Sequence, residues 1–192
     1  MPFNLPIFIT WLRIVLIPLM VAVYYVPEPL IHTTGRDLAA TIIFVVAAAT
    51  DWLDGYLARR WNETSAFGAF LDPVADKLMV AAALIILVWF DRVDAILAIV
   101  IIGREITISA LREWMAEMGA RKSVAVSMIG KIKTVAQMVS IPLLLYHAPI
   151  GTFDTRFYGT WLMYIAAALT LWSMIYYLRM AWPHLSGKGD NC

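Results

Sequence analysis

The chain has 192 residues, of which 61% are hydrophobic and only 15% charged, with 15 basic residues against 14 acidic ones. A soluble domain carries roughly 25% charged residues, so a small soluble globule, a disordered chain, a collagen and a disulfide scaffold are excluded. The near balance of charge gives no footing for nucleic-acid binding, and the lone cysteine, Cys192, allows neither an intrachain disulfide nor a cysteine-built zinc site.

A membrane-spanning helix takes roughly 20 mostly apolar residues, and only helices and closed barrels satisfy their backbones in lipid. The apolar runs here are long and continuous, so they read as helices and not as alternating barrel strands. The expected fold class is all-α, a polytopic membrane protein with six transmembrane helices in one bundle, residues 1–192 forming a single membrane domain. Span one runs from about Ile7 to Val26 and ends at Pro27-Glu28-Pro29. The start lacks a basic leader region and a cleavage site, so this span is expected to stay in the mature protein. Span two covers about Leu38 to Arg60 and span three about Phe67 to Phe90. Asp91-Arg92-Val93-Asp94 makes a tight polar turn into span four, about Ala95 to Met118. Span five is about Val124 to Tyr146, closed by His147-Ala148-Pro149, and span six about Tyr158 to Met180, ending at Trp182-Pro183. Connections after the odd spans carry Arg36, Arg92 and Arg156, whereas the others carry Arg59, Arg60, Arg112, Arg121, Lys122, Lys131 and Lys133. That asymmetry places both termini in the cytoplasm.

The most informative stretch begins Asp51-Trp52-Leu53-Asp54-Gly55 and ends Asp72-Pro73-Val74-Ala75-Asp76. On a helix, Asp51, Asp54, Gly55 and Ala58 share one face, and so do Gly68, Asp72 and Asp76. The connection is short, so the two helices are antiparallel neighbours and their carboxylates converge at the cytoplasmic end. Four carboxylates near one point repel, and burial disfavours their charged forms. Either some are protonated or cations neutralise them. Oxygen ligands suit hard ions such as Mg²⁺ or Mn²⁺, and two such ions can clamp a phosphoryl group. Gly55, Ala58 and Gly68 leave room for a bulky ligand, or serve as helix-packing contacts; Arg59 offers a planar fork to phosphate oxygens. Asp72-Pro73 also reads as a helix start, with Asp72 as N-cap. A divalent-cation transporter is the alternative of a different class, although no second acidic set is seen toward the other membrane face.

Asp51-x2-Asp54-Gly55-x2-Ala58-Arg59-x8-Gly68-x3-Asp72-x3-Asp76 resembles the complete signature of the CDP-alcohol phosphotransferase family. Asp72-Pro73-Val74-Ala75-Asp76-Lys77, the run from Arg104 to Met115, and Gly130 to Met138 are similar to the bacterial branch that makes phosphatidylglycerophosphate. The resemblance implies an inner-membrane phosphotransferase that moves a phosphatidyl group from CDP-diacylglycerol to the sn-1 hydroxyl of glycerol 3-phosphate and releases CMP. A sister enzyme with another acceptor is the nearest alternative. It further implies that Asp51, Asp54, Asp72 and Asp76 hold two divalent ions, Mg²⁺ or Mn²⁺, and that Asp76 is also the general base. Gly55, Ala58, Arg59, Ser65 and Gly68 fall at positions that hold the CDP moiety. The family's N-terminal Asn-x-Pro-Asn is matched only in part by Asn4-Leu5-Pro6-Ile7, since Ile7 replaces the second Asn. Asn4 and Thr10 remain candidate contacts to CDP-diacylglycerol; Asn4 also reads as a plain N-cap. A homodimer is a further implication.

The acceptor carries about two negative charges, so its pocket should be basic. Arg104 lies deep in span four, Arg112 is eight residues on along nearly the same face, and Lys131 and Lys133 open span five. An arginine at depth faces a polar cavity or a partner; an ion pair with Glu105 or with an aspartate of the cluster is the plain alternative for Arg104, and headgroup contact or snorkelling for the two lysines. The resemblance favours Arg104, Arg112, Lys131 and Lys133 as the phosphate-binding set. Arg13 in span one either snorkels toward the cytoplasm or reaches the nucleotide pocket, and the sequence leaves both open. His32, His147 and His184 lie at different ends and make no metal site.

Overall fold

A computed structural model describes the backbone of residues 5–61, 66–117 and 128–185, and the side chains of 9–51, 71–115 and 132–180. The described residues form six α-helices: α1 (Leu5–Ala22), α2 (Thr33–Trp61), α3 (Ala66–Trp89), α4 (Ala95–Glu117), α5 (Met128–Tyr146) and α6 (Thr155–Leu185). A short 3-10 turn, Val23–Tyr25, extends α1, and no strand occurs among them. Each helix corresponds to one expected span. By length and apolar composition, Thr33–Asp51 and Thr155–Met180 pass as membrane-crossing segments.

Local chemistry fixes the turns. Asp91 adopts a left-handed conformation, φ 56°, and closes α3: the Asp91 N–H donates to the Val88 carbonyl (3.0 Å) and the Arg92 N–H to the Leu87 carbonyl (2.8 Å). This is the paired 5→2 and 6→1 bonding of a Schellman motif, with aspartate tolerated where glycine is usual. Asp94 then caps α4, its Oδ1 accepting from the Ile96 N–H at 2.7 Å. Asp154 does the same for α6, accepting from Arg156 and Phe157 at 3.0 and 3.2 Å. The Asp72-Pro73 cap does not hold. Pro73 lies inside α3, which is already helical from Ala66, so Asp72 projects from a helix interior.

The core is built from all six helices. Met20, Phe44, Ala47, Met79, Ala83, Leu84, Ile101, Ile141, Leu144 and Met163 are all buried in one cluster. Alanines 40, 47, 75 and 83 are essentially inaccessible, which lets the helix backbones approach closely. Gly159 of α6 takes the same role against α5, since a Cβ there would meet Leu144 Cγ at 2.9 Å. The outer surface is itself apolar. Val15, Leu19, Ile42, Ile85, Ile99, Trp161 and Trp172 are all exposed; apolar surface on that scale marks a lipid or protein contact.

At the end holding the α3–α4 and α5–α6 turns sits a buried polar knot that the sequence reading did not find. Arg92 Nη2 pairs with Asp37 Oδ2 at 2.7 Å, both side chains under 8% exposed. Tyr24 donates its hydroxyl to Asp37 Oδ1 at 3.2 Å. Arg92 Nη1 donates to the carbonyls of Leu144 and Leu145, groups of the last turn of α5 that have no helical partner.

Candidate active site

The carboxylates of α2 and α3 meet at a side chain from α1. Arg13 is fully buried, and its Nη1 lies 2.9 Å from Asp51 Oδ1 and 3.4 Å from Asp76 Oδ1. It neither snorkels nor stands apart from the acidic motif. One turn earlier on the same face, Thr10 donates its hydroxyl to Asp72 Oδ1 at 2.7 Å. Three of the four motif aspartates are thus gathered by two residues of α1 spaced i, i+3. Asp51 and Asp76 are 41% and 38% exposed, whereas Arg13 is 0% exposed. The cation is the buried partner and the carboxylates open outward. Among the described residues, Arg13 Nε and Nη2 have no hydrogen-bond partner, an expensive condition for a buried guanidinium.

Asp76 also lines a cavity of about 250 Å³ between α3, α4 and α5. Its polar wall includes Lys77, Glu105, Ser109, Arg112 and Gln137. Among the described members of the expected basic set, Arg112 is the one that reaches this wall. Arg104 and Lys133 are buried, and both pair with Glu105: Lys133 Nζ by a direct ion pair and Arg104 Nη1 at 3.7 Å. The plain alternative weighed for Arg104 therefore occurs, and Lys133 joins it instead of meeting a lipid headgroup. One carboxylate set among Arg104, Arg112 and Lys133 leaves this side of the cavity positive. Lys77, Ser109 and Gln137 were not singled out from sequence; Lys77 stands beside the last motif aspartate and was the most accessible hint.

Several sequence candidates lie outside the described side chains: Asp54, Gly55, Ala58, Arg59, Gly68 and Lys131, together with Asn4 and Ser65. Among the described residues no three acidic, histidine or cysteine side chains stand together as a ready metal cage, and Asp54 is not among those residues. The donor chemistry nevertheless fits a hard divalent ion. Asp51 and Asp76 already share one cation, Arg13, so the place between them is one where positive charge is required.

A family model described as CDP-alcohol phosphatidyltransferase matches residues 3–172 of the chain. Curated relatives named CDP-diacylglycerol–glycerol-3-phosphate 3-phosphatidyltransferase, from Escherichia coli (strain K12) and Shigella flexneri serotype 5b (strain 8401), are each 50% identical over 186 residues. The alignments span 94% of this chain and 96% of theirs.

Proposed function

The chain belongs to the CDP-alcohol phosphatidyltransferase family, and on that premise we propose that it transfers the phosphatidyl group of CDP-diacylglycerol to the sn-1 hydroxyl of glycerol 3-phosphate. The observation that carries this reading is the junction at Asp76. One side of that carboxylate faces the acidic cluster gathered by Arg13, and the other lines a cavity bearing Arg112 and Lys77. A donor phosphate and an anionic acceptor require that pairing of an acidic, cation-holding half with a basic half.

In the proposed mechanism Asp51, Asp54, Asp72 and Asp76 would hold two divalent ions, Mg²⁺ or Mn²⁺, which would supply positive charge to offset that of the pyrophosphate and the departing phosphate. The protein's own residues do the rest. Gly55, Ala58, Arg59, Ser65 and Gly68, with Asn4 and Thr10, surround the CDP moiety; Thr10 does so while orienting Asp72. Arg112 binds the acceptor phosphate, supported by the positive charge of Arg104, Lys131 and Lys133. Asp76 takes the proton from the sn-1 hydroxyl as the oxygen attacks phosphorus. A new P–O bond forms to the acceptor, the P–O bond to CMP breaks, and CMP leaves with the electron pair. Positioning and electrostatics supply most of the catalysis in such phosphoryl transfers.

The same proposal has residues 1–192 forming one domain with six transmembrane spans in the bacterial inner membrane, both termini and the site on the cytoplasmic side, working as a homodimer. The apolar outer surface of the helices supports the membrane setting. The test is CMP release from CDP-diacylglycerol by the purified protein, with glycerol 3-phosphate, inositol phosphate, serine or phosphatidylglycerol offered one at a time. Stimulation by glycerol 3-phosphate alone is expected. Stimulation only by another acceptor would reassign the substrate, and full turnover by Asp76→Asn would remove the proposed base.

A further inference from the structure

Among the described residues, α6 contributes nothing to the lining of the polar cavity, yet it holds two of the arginines proposed to serve it. Its buried stripe begins with Met163, Ala166 and Ala167 and turns to hydroxyl-bearing residues at Thr170, Ser173 and Tyr177. The change coincides with Arg104 and Arg112 on the facing α4. Arg104 Nη2 donates to Ser173 Oγ at 2.7 Å. Ser173 in turn donates to the Thr170 carbonyl at 2.9 Å, so its proton is committed and a lone pair faces the guanidinium. Arg112 Nη2 donates to the Tyr177 hydroxyl at 3.1 Å. The ring of that tyrosine, itself fully buried, lies 5.2 Å from the Arg112 guanidinium carbon and 6.0 Å from that of Arg104.

We propose that Ser173 and Tyr177 are positioning residues for the acceptor anion, holding Arg104 and Arg112 in place by their hydroxyls and by the tyrosine ring between them. The proposal rests on the reading of the cavity given above. Two guanidiniums on one helix face repel, and Arg112 loses rotamer freedom when it binds a phosphate. A ring whose face attracts both cations offsets the repulsion, and two hydroxyl acceptors fix the side chains before the ligand arrives. Among the described residues, Arg104 Nε and Arg112 Nε have no hydrogen-bond partner. Ser173 and Tyr177 also lie past residue 172, where the family match ends.

The experiment compares Tyr177→Phe, Ser173→Ala, Ser173→Thr and Arg112→Ala in the full chain, purified in detergent, by steady-state kinetics with each substrate varied in turn. Tyr177→Phe and Ser173→Ala are expected to raise KM for glycerol 3-phosphate about three- to tenfold, the worth of one modest hydrogen bond. Ser173→Thr should restore it, with kcat and the KM for CDP-diacylglycerol held within about twofold. If both hydroxyl deletions leave the acceptor KM unchanged while Arg112→Ala raises it, positioning by α6 is wrong and the cavity assignment stands. If Arg112→Ala also leaves it unchanged, the cavity assignment falls and takes the proposal with it. A uniform loss of kcat and of affinity for both substrates, tracking a lowered melting temperature, would overturn positioning in favour of a purely structural role.

Discussion

Replacing Arg92 by methionine should destabilise the protein severely while leaving acceptor binding untouched. Arg92 and Asp37 are 2.7 Å apart with side chains 6% and 7% exposed. Removing one member of such a buried pair costs about 3–5 kcal/mol, because the other charge stays behind uncompensated. Arg92 also donates to the Leu144 and Leu145 carbonyls at 3.2 and 2.6 Å, and leaving these without a donor adds about 1–3 kcal/mol. Asp37→Asn should cost less, since Arg92 then keeps both carbonyls and an amide oxygen. Asp37→Leu combined with Arg92→Met removes both charges and should melt above Arg92→Met alone, because no uncompensated buried charge is left behind. At roughly 2–4 °C per kcal/mol for a chain of this size, a combined cost of about 4–8 kcal/mol means Arg92→Met is expected to melt about 8–32 °C below the parent in detergent. The knot lies near the α3–α4 and α5–α6 turns, remote in sequence from the residues of the proposed site, so KM for glycerol 3-phosphate in the surviving fraction should not move. A single variant melting within about 2 °C of the parent, or a double variant no better than the single, would refute the reasoning.

Arg13→Met should lower melting in EDTA and enlarge the upward shift produced by Mg²⁺ or Mn²⁺, because Asp51 and Asp76 lose their shared cation; an unchanged metal-dependent shift contradicts this. Gly159→Ala should cost about 1–3 kcal/mol by driving a methyl into Leu144, read as a lower melting temperature. Burial and the neighbouring Arg92 and Arg156 hold the His147 imidazole below its ordinary value of 6.5. The folded protein therefore binds fewer protons there than the unfolded chain, and stability is lost as pH falls below 6.5. His147 sits at φ 55°, so His147→Asn, which tolerates that conformation, should flatten the acid limb of a melting-temperature profile.

The six helices were legible because apolar runs of helical length alternate with short polar turns, and Asp91-Arg92-Val93-Asp94 declares its turn chemistry outright. Boundaries were less so. Span two was expected from Leu38, but α2 begins at Thr33, since the charge of Asp37 is hidden by Arg92 and hydropathy registers only its polarity. Pro183 was expected to end span six, yet α6 continues to Leu185. The acidic motif was legible from i, i+3 and i+4 spacing alone. Its cation was not: Arg13 is 38 residues from Asp51 and 63 from Asp76, and no local pattern joins them. The same holds for Arg104 with Ser173, 69 residues apart. Helical spacing reports which residues share a face; which faces meet depends on packing among all six helices.

Buried charge alone does not mark a site in this protein, because both ends of the bundle contain an arginine–aspartate pairing. What separates them is exposure. At Asp37 and Arg92 the carboxylate accepts from a tyrosine and an arginine, the guanidinium spends its remaining reach on two carbonyls, and both side chains are closed off from solvent. Such a network has nothing to offer a ligand and fixes how helices meet. At Asp51 and Asp76 the carboxylates are more than a third exposed, and among the described residues their shared arginine carries two unpartnered nitrogens and the arginine on the wall of the adjoining cavity one. Unsatisfied donors beside open acceptors are destabilising in the absence of a bound molecule. Arg36 Nε and His147 Nδ1 near the Asp37–Arg92 pair are also unpartnered among the described residues, so it is the exposure of Asp51 and Asp76 that marks their end as the one open to a polar ligand. That contrast supports placing the phosphoryl chemistry at the Asp51–Asp76 end.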